Sequence, residues 1–129
     1  GDKFMMHMLA VVLLFFASDV LRPSVREVPL SGKLSDEPSV KKPVVITTPE
    51  EAEKVYGKRI LKDGTVDFAT EQILCFGWVS SSGDVLTAKM EAGEVVFTYV
   101  PGITRDLFVH SKSFVIPKTA KWRLITKFR

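Results

Sequence analysis

Histidine and carboxylate side chains are the first candidates for chemistry in this sequence. His110 follows Asp106 by four positions, and residues four apart in a strand share one face, so both side chains would face one ligand. Asp67, between Val66 and Phe68, is a third candidate. A histidine with two carboxylates provides groups for general acid–base hydrolysis or for binding a metal ion. One hypothesis is therefore a small hydrolase or metal-dependent enzyme that uses His110 with Asp106 and Asp67.

The serine-rich segment Ser80–Asp84 is the second candidate, because its hydroxyls and backbone N–H groups can face an anion. It lacks the Gly-Lys-Ser/Thr ending of a phosphate-binding loop, and no serine lies in a nucleophile-elbow pattern. We predict a hairpin turn here and assign no catalytic, cofactor-binding or metal-binding residue. The polar residues of this turn and of the Pro101–Asp106 region form a predicted interaction surface of Ser81, Ser82, Asp84, Arg105, Asp106 and His110.

Length and composition indicate one globular domain. The chain has 129 residues, of which 46% are hydrophobic and 26% are charged, and this excludes disordered and collagen-like chains. A single cysteine excludes a disulfide framework within the chain. That cysteine, Cys75, stands between Leu74 and Phe76, so we predict that it lies in the core.

Positive charge is concentrated at the end of the sequence. The net charge is +3, and no acidic residue interrupts the basic series Lys118, Lys121, Arg123, Lys127 and Arg129. This series is either the outward face of a terminal strand or a contact for an anionic polymer or membrane surface. No nucleic-acid-binding motif accompanies it, so we expect no specific nucleic-acid partner.

An uncharged apolar run, Met8–Ala17, lies near the start of the sequence. Its length is typical of the hydrophobic region of a signal peptide and is short for a membrane span, which needs about 20 residues. We therefore interpret residues 1–21 as a signal, anchor or docking segment, with possible membrane association through residues 4–17. The alternatives are a core element and an oligomer contact. The first interpretation predicts export to the periplasm or cell envelope.

The rest of the chain is predicted to be an arm followed by an α+β domain. Residues 22–42 contain three prolines and resemble an extended arm, and residues 43–129 form the domain. Thr48, Pro49 and Glu51 predict the start of a helix over residues 49–56. Strands are predicted at 43–47, 73–80, 84–90, 94–100, 107–110, 114–116 and 122–128. We expect an antiparallel β-meander or a partly closed barrel with one short helix, preceded by the apolar segment and the arm.

Three segments of this domain together resemble a known family. The segments Ile46–Tyr56, Val66–Phe68 and Ile73–Gly77 are similar to the PrcB C-terminal-like family, although Ser80–Asp84 stands where that family has Gly-Gly-Tyr. Members are small exported bacterial domains that are associated with stabilising a protease complex or have no known role. The resemblance implies a non-enzymatic domain of the cell envelope and transfers no catalytic residue.

The sequence therefore favours a non-catalytic exported bacterial domain that binds a protein or a cell-envelope component. Its expected surface includes the Ser80–Asp84 turn, the Pro101–Asp106 loop and exposed aromatic residues such as Tyr99 or Trp78, because aromatic residues are favoured at interfaces. No cofactor is expected. The enzyme hypothesis is the alternative, and the sequence does not indicate the oligomeric state.

Overall fold

One short helix and seven strands form the protein that the structure describes. The structure, a computed structural model, describes residues 24–32, 40, 42–57 and 65–129. In chain order the elements are β1 (Arg26–Val28), β2 (Val44–Ile46), α1 (Pro49–Tyr56), β3 (Glu71–Ser80), β4 (Val85–Glu91), β5 (Glu94–Val100), β6 (Phe108–Pro117) and β7 (Lys121–Thr126). The predicted α+β class with a single short helix is confirmed for these residues. The predicted segment 1–21 lies outside them.

The strands form two separate sheets. The large sheet has the order β1-β6-β3-β2 with antiparallel neighbours, and the small sheet has the order β4-β5-β7. In the small sheet β4 and β5 form a hairpin, whereas β5 and β7 run parallel. Neither sheet closes into a barrel within the described residues, so the predicted meander and partly closed barrel are corrected to two packed sheets. The chain passes from the large sheet to the small one after β3, returns for β6 and ends in the small sheet with β7, and the apolar faces of the two sheets bury one another.

The main core lies between the two sheets. Side chains alternate along a strand, so Leu74, Phe76 and Trp78 of β3 all point toward the small sheet. Phe97 of β5 lies among aromatic rings, with centroid distances of 4.9 Å to Phe76, 5.3 Å to Phe114 and 5.9 Å to Trp122. The near-continuous apolar run of β3 is therefore explained, because this strand is covered on both faces.

A second, smaller core lies on the other face of the large sheet, under α1. Tyr56 and Ala52 of the helix pack there with Ile73 and Cys75. Cys75 is buried, as the sequence predicted. The Tyr56 hydroxyl is 2.6 Å from Ser113 Oγ, and burial raises the pKa of Tyr56 well above its usual value. The polar groups in this core are therefore paired with one another.

The proline-rich arm is part of the folded domain. Its residues 26–28 form β1, and Val28, Leu30 and Val40 are buried. Arg26 donates to Glu71 at 2.7 Å and to the carbonyl of Thr65 at 2.7 Å, which fixes β1 beside β6. The described part of 22–42 thus packs on the domain instead of extending away from it.

A single long strand, β6, replaces the two short strands predicted at 107–110 and 114–116. The polar residues Ser111–Ser113 suggested a break, but Ser113 is fully buried and donates to the carbonyl of Leu30 at 3.1 Å. Its neighbour Lys112 lies 3.6 Å from Glu27 of β1. These partners make a polar stretch compatible with a strand that is central in its sheet.

Local signals in the sequence fix α1. The helix spans Pro49–Tyr56, as predicted, and Thr48 Oγ1 accepts from the Glu51 N–H at 3.2 Å. The Glu51 carboxylate in turn accepts from the Thr47 N–H at 3.3 Å. Both contacts satisfy backbone donors around the start of the helix, which has no preceding turn to bond them.

Replacing the cap residue tests this account. Thr48→Ala removes the hydroxyl acceptor and should lower the free energy of unfolding by about 1 kcal/mol. Thr48→Ser keeps the acceptor and should lie within about 0.5 kcal/mol of the unsubstituted protein. Urea unfolding followed by circular dichroism measures both values. Equal losses for the two variants would contradict a stabilising role for the hydroxyl.

Candidate functional site

The predicted interaction surface lies at one end of the two sheets, which we call the loop end. It comprises the 81–84 turn, the 101–107 loop, the start of β6 and the tail 127–129. Hydrogen bonds join five of the six predicted residues to this end, namely Ser81, Ser82, Asp84, Asp106 and His110. Arg105 belongs to the same loop, is exposed, and makes no hydrogen bond or ion pair with the described residues.

Asp84 is the centre of the loop end. Its carboxylate is 7% exposed; Oδ2 accepts from Tyr99 Oη at 2.6 Å and from Trp78 Nε1 at 3.0 Å, and Oδ1 accepts from the Gly102 N–H at 2.7 Å. Burial alone would raise the pKa of Asp84, but these hydrogen bonds favour the charged form and the pKa is lowered. Burial and the bond to Asp84 raise the pKa of Tyr99 to about 12.

Trp78 and Tyr99 are therefore core residues. The sequence offered both as exposed aromatic residues of a binding surface, but Trp78 is fully buried and Tyr99 nearly so. Each ring packs between the sheets and turns its single polar group toward the Asp84 carboxylate. Burial of these rings is possible because that carboxylate accepts both donors.

A directed series of hydrogen bonds joins the turn to the loop. The Gly83 N–H donates to Ser81 Oγ at 3.2 Å, Ser81 Oγ contacts Thr104 Oγ1, and Thr104 Oγ1 donates to Asp106 Oδ1 at 2.5 Å. The Ser82 N–H also donates to Asp106 Oδ1. Hydrogen bonds from Thr104 and then Ser82 lower the pKa of Asp106 to about 2. The hydroxyls of Ser81 and Thr104 therefore stabilise the conformation of the turn and the loop.

The Pro101-Gly102 pair, a combination typical of type II turns, does not form one here. Such a turn needs a positive φ at Gly102, and among the described glycines only Gly57 and Gly93 have one. Gly102 instead packs against the opposite turn, where an added Cβ would lie 2.5 Å from the backbone carbon of Gly83. Glycine is thus required at 102 by close approach of two backbone segments.

His110 is held inside the loop end. Its Nε2 is 2.7 Å from the carbonyl oxygen of Ser81, and because a carbonyl only accepts, that nitrogen carries the proton. The imidazole stacks on Trp78 with a centroid distance of 4.5 Å and an interplanar angle of 10°, and Phe108 covers it at 4.8 Å. His110 thus links the 81–84 turn to the start of β6.

Asp67 lies at the other end of β3 and does not join His110. It accepts from the Ala69 N–H and Thr70 Oγ1, and its backbone carbonyl accepts from the Glu71 N–H at the start of β3. His110 pairs with Trp78 seven residues further along, a separation of about 23 Å at 3.3 Å per residue. The structure therefore does not bring His110, Asp106 and Asp67 together.

Exposed apolar side chains surround this polar network, and sequence reasoning missed them. We call Ile103, Leu107, Phe108, Val109 and Phe128 the apolar end group. Ile103, Leu107 and Phe128 are 82%, 85% and 79% exposed. Nothing in the sequence separates these residues from core residues, since each stands in a mixed segment of ordinary composition. Their exposure follows from the loop's position beyond the ends of the strands.

The tail places cations at the same end. The Lys127 N–H donates to the Tyr99 carbonyl at 2.9 Å, and the Arg129 guanidinium donates to the Gly83 carbonyl at 3.0 Å. Phe128 lies between these two anchored residues. With Arg105, the loop end therefore has three exposed cations and one exposed carboxylate, that of Asp106.

Comparison with known proteins adds no relative. No protein-family model, no curated protein and no solved structure gives a significant match to this chain. Within residues 24–32, 40, 42–57 and 65–129, three or more histidine, cysteine or carboxylate side chains never cluster as a metal site would require. No helix in that part of the chain has the length and apolarity to cross a membrane. Function is therefore inferred from the loop end.

The Asp84 carboxylate should be a main stabilising group of this end. Asp84→Asn replaces one acceptor oxygen by an amide donor that faces other donors, and it should cost about 2–3 kcal/mol of unfolding free energy. Asp106→Asn, at an exposed site, should cost less. Urea unfolding followed by tryptophan fluorescence measures both. A loss for Asp84→Asn no larger than for Asp106→Asn would contradict the central role of Asp84.

Protonation of the Asp84 carboxylate at low pH should remove its contribution to the unfolding free energy. The pKa of Asp84 is lower in the folded protein than the unfolded value of about 3.9, so its stabilising effect is complete above about pH 4 and is lost as pH falls through the folded pKa. The unfolding free energy of Asp84→Asn should therefore fall less steeply below about pH 4 than that of the unsubstituted protein. Parallel pH profiles would rule out this contribution.

The two facing glycines should differ in their tolerance of a methyl group. Gly102→Ala forces its Cβ into the Gly83 backbone and should cost about 1–3 kcal/mol. Gly83→Ala places its Cβ 3.4 Å from Gly102 Cα, an ordinary contact, and should be nearly neutral. Thermal unfolding of the two variants measures the difference. A more destabilising Gly83→Ala would show that the backbone approach described here is wrong.

Proposed function

We propose that this chain is a non-catalytic exported bacterial domain that binds a protein or a cell-envelope component through its loop end. The observation that carries the proposal is the apolar end group, whose most exposed members, Ile103, Leu107 and Phe128, have about four fifths of their surface in water. Several large apolar side chains exposed together on one loop-bearing end are typical of a contact surface.

The loop that presents these side chains is already braced. Asp84 holds the Gly102 N–H, and the Ser81–Thr104–Asp106 series holds the following residues. Binding therefore does not require the loop to be ordered first, and a surface fixed in advance loses less conformational entropy on association. A braced loop with exposed apolar side chains is the arrangement expected for recognition.

We do not propose the hydrolase or metal-dependent enzyme. That hypothesis needs His110, Asp106 and Asp67 around one ligand, and Asp67 lies at the opposite end of β3. The Nε2 proton of His110 is engaged by the Ser81 carbonyl, and Asp106 is engaged by Thr104 and Ser82. Each polar group thus has a partner within the fold.

Export and the family resemblance remain predictions that are compatible with this proposal. The apolar run Met8–Ala17 supports export, and the lone buried Cys75 suits a compartment in which exposed thiols are oxidised. The similarity to the PrcB C-terminal-like family, in Ile46–Tyr56 and Ile73–Gly77, implies the same class of non-enzymatic envelope domain. The proposed partner is therefore a component of the bacterial envelope.

Retention on a bacterial envelope preparation tests the proposal. The double variant Ile103→Ser/Leu107→Ser removes two exposed apolar side chains and should lower the retained fraction about tenfold or more. Val44→Ser/Val45→Ser, which alters two exposed valines on β2, is the matched control and should be retained like the unsubstituted protein. Circular dichroism verifies the fold of each variant. Equal retention of the three proteins would overturn the proposal.

A further inference from the structure

We infer that the loop end docks on an anionic lipid surface, with the apolar end group inserted among the acyl chains and the nearby cations at the level of the headgroups. This inference rests on the proposed function and names its partner. Three features of the loop end carry it: the way the apolar side chains protrude, the pairing of the loop's polar groups, and the sign of the charges beside them.

Three members of the apolar end group protrude far from the protein. Ile103 and Leu107 are 82% and 85% exposed and Phe128 is 79% exposed, so most of each side chain contacts water and not protein. Apolar anchors of protein interfaces work in well-packed, desolvated pockets, and a protein partner would have to supply one for each of these separated side chains. Fluid acyl chains can surround separate protruding side chains without any matching shape. The exposure therefore favours lipid over a protein surface.

Several polar groups of the turn and the loop are hydrogen-bonded within the fold. The Gly102 N–H is bonded to Asp84, and the Ser81 and Thr104 hydroxyls are bonded within the series that ends at Asp106. Removing a polar group from water is costly chiefly when it loses its hydrogen bond. Because these groups keep their bonds, partial burial of the loop in the interfacial region costs less than burial of an unpaired loop.

The charges beside the apolar end group have the sign that an anionic surface attracts. Arg105 and Lys127 make no ion pair with the described residues, and Arg129 donates to a neutral carbonyl, so no carboxylate in that part of the chain neutralises these three cations. Asp106 is the one exposed carboxylate there. Each basic residue near an anionic leaflet contributes to attraction, and the effect falls with ionic strength.

Vesicle flotation tests the inference with the full chain. The probe is phosphatidylcholine vesicles with about 30 mol% phosphatidylglycerol, compared with vesicles of phosphatidylcholine alone. The unsubstituted protein should float with the anionic vesicles, at least about fivefold more than with the neutral ones, and this preference should fall in about 0.5 M NaCl. Absence of the protein from the anionic vesicle fraction would overturn the inference.

Two sets of variants separate the loop end from any other contact. Ile103→Ser/Leu107→Ser should lower partition into anionic vesicles about tenfold or more, and Arg105→Gln/Lys127→Gln should remove most of the preference for anionic over neutral vesicles. Val44→Ser/Val45→Ser should bind like the unsubstituted protein. Flotation that survives the Ile103→Ser/Leu107→Ser change would place the lipid contact elsewhere and overturn the inference.

A Leu107→Trp variant provides a direct readout of insertion. Its fluorescence should shift to shorter wavelength on anionic vesicles and be quenched more by brominated than by unbrominated acyl chains, and both effects should exceed those of the unsubstituted protein, whose signal comes from Trp78 and Trp122. Absence of quenching would count against insertion.

The vesicle and envelope experiments together distinguish the two proposals. If the protein does not bind vesicles but its retention on the envelope preparation still depends on Ile103 and Leu107, the partner is a protein. The lipid inference is then overturned and the proposed function stands. If both fail, the proposed function fails as well.

Discussion

One buried carboxylate connects the parts of this domain that meet at the loop end. Asp84 accepts from Trp78 of the large sheet, from Tyr99 of the small sheet and from the backbone of Gly102 in the loop. Without this acceptor, the indole N–H and the phenol hydroxyl would lie between the sheets with no partner, and unpaired polar groups in an interior are costly. The aromatic core and the loop geometry at this end therefore depend on the same charged group, and neither can change without the other.

This constraint explains why the surface is apolar although the sequence there is rich in polar residues. The hydroxyls of Ser81 and Thr104, the carboxylate of Asp106 and the imidazole of His110 bond to groups of the same turn and loop. Their polar atoms, apart from the exposed carboxylate of Asp106, are engaged inside the turn and the loop, and the apolar end group lies outside them. The residues that the sequence marked as candidates for chemistry thus stabilise the loop end.

Sequence reasoning succeeded where the determining interactions are local. The signal for the start of α1, including Thr48 and Pro49, lies within four consecutive residues, and the pattern that predicts β5 lies within the seven residues of that strand. It failed where the partner is distant. The strand character of 26–28 depends on pairing with residues 113–115 of β6, and the burial of Ser113 depends on Tyr56, 57 residues away. Sequence reasoning placed Asp84 in a turn and missed its central role, because the three groups that donate hydrogen bonds to it come together only after both sheets have packed. The parallel pairing of β5 and β7 has no local signal at all.

The large sheet also determines when the domain becomes complete during synthesis. Its inner strands β3 and β6 pair across some thirty intervening residues, and β1 pairs with residues 113–115, near the other end of the chain. Until β6 has been synthesised, β1 has no partner strand and β3 can pair only with β2, over residues 73–75, so most of this apolar strand is open to aggregation. The prolines on either side of β1 make it a poor template for such pairing. The large sheet of this topology is therefore completed only when residues from both parts of the chain, β1 and β6, are present together.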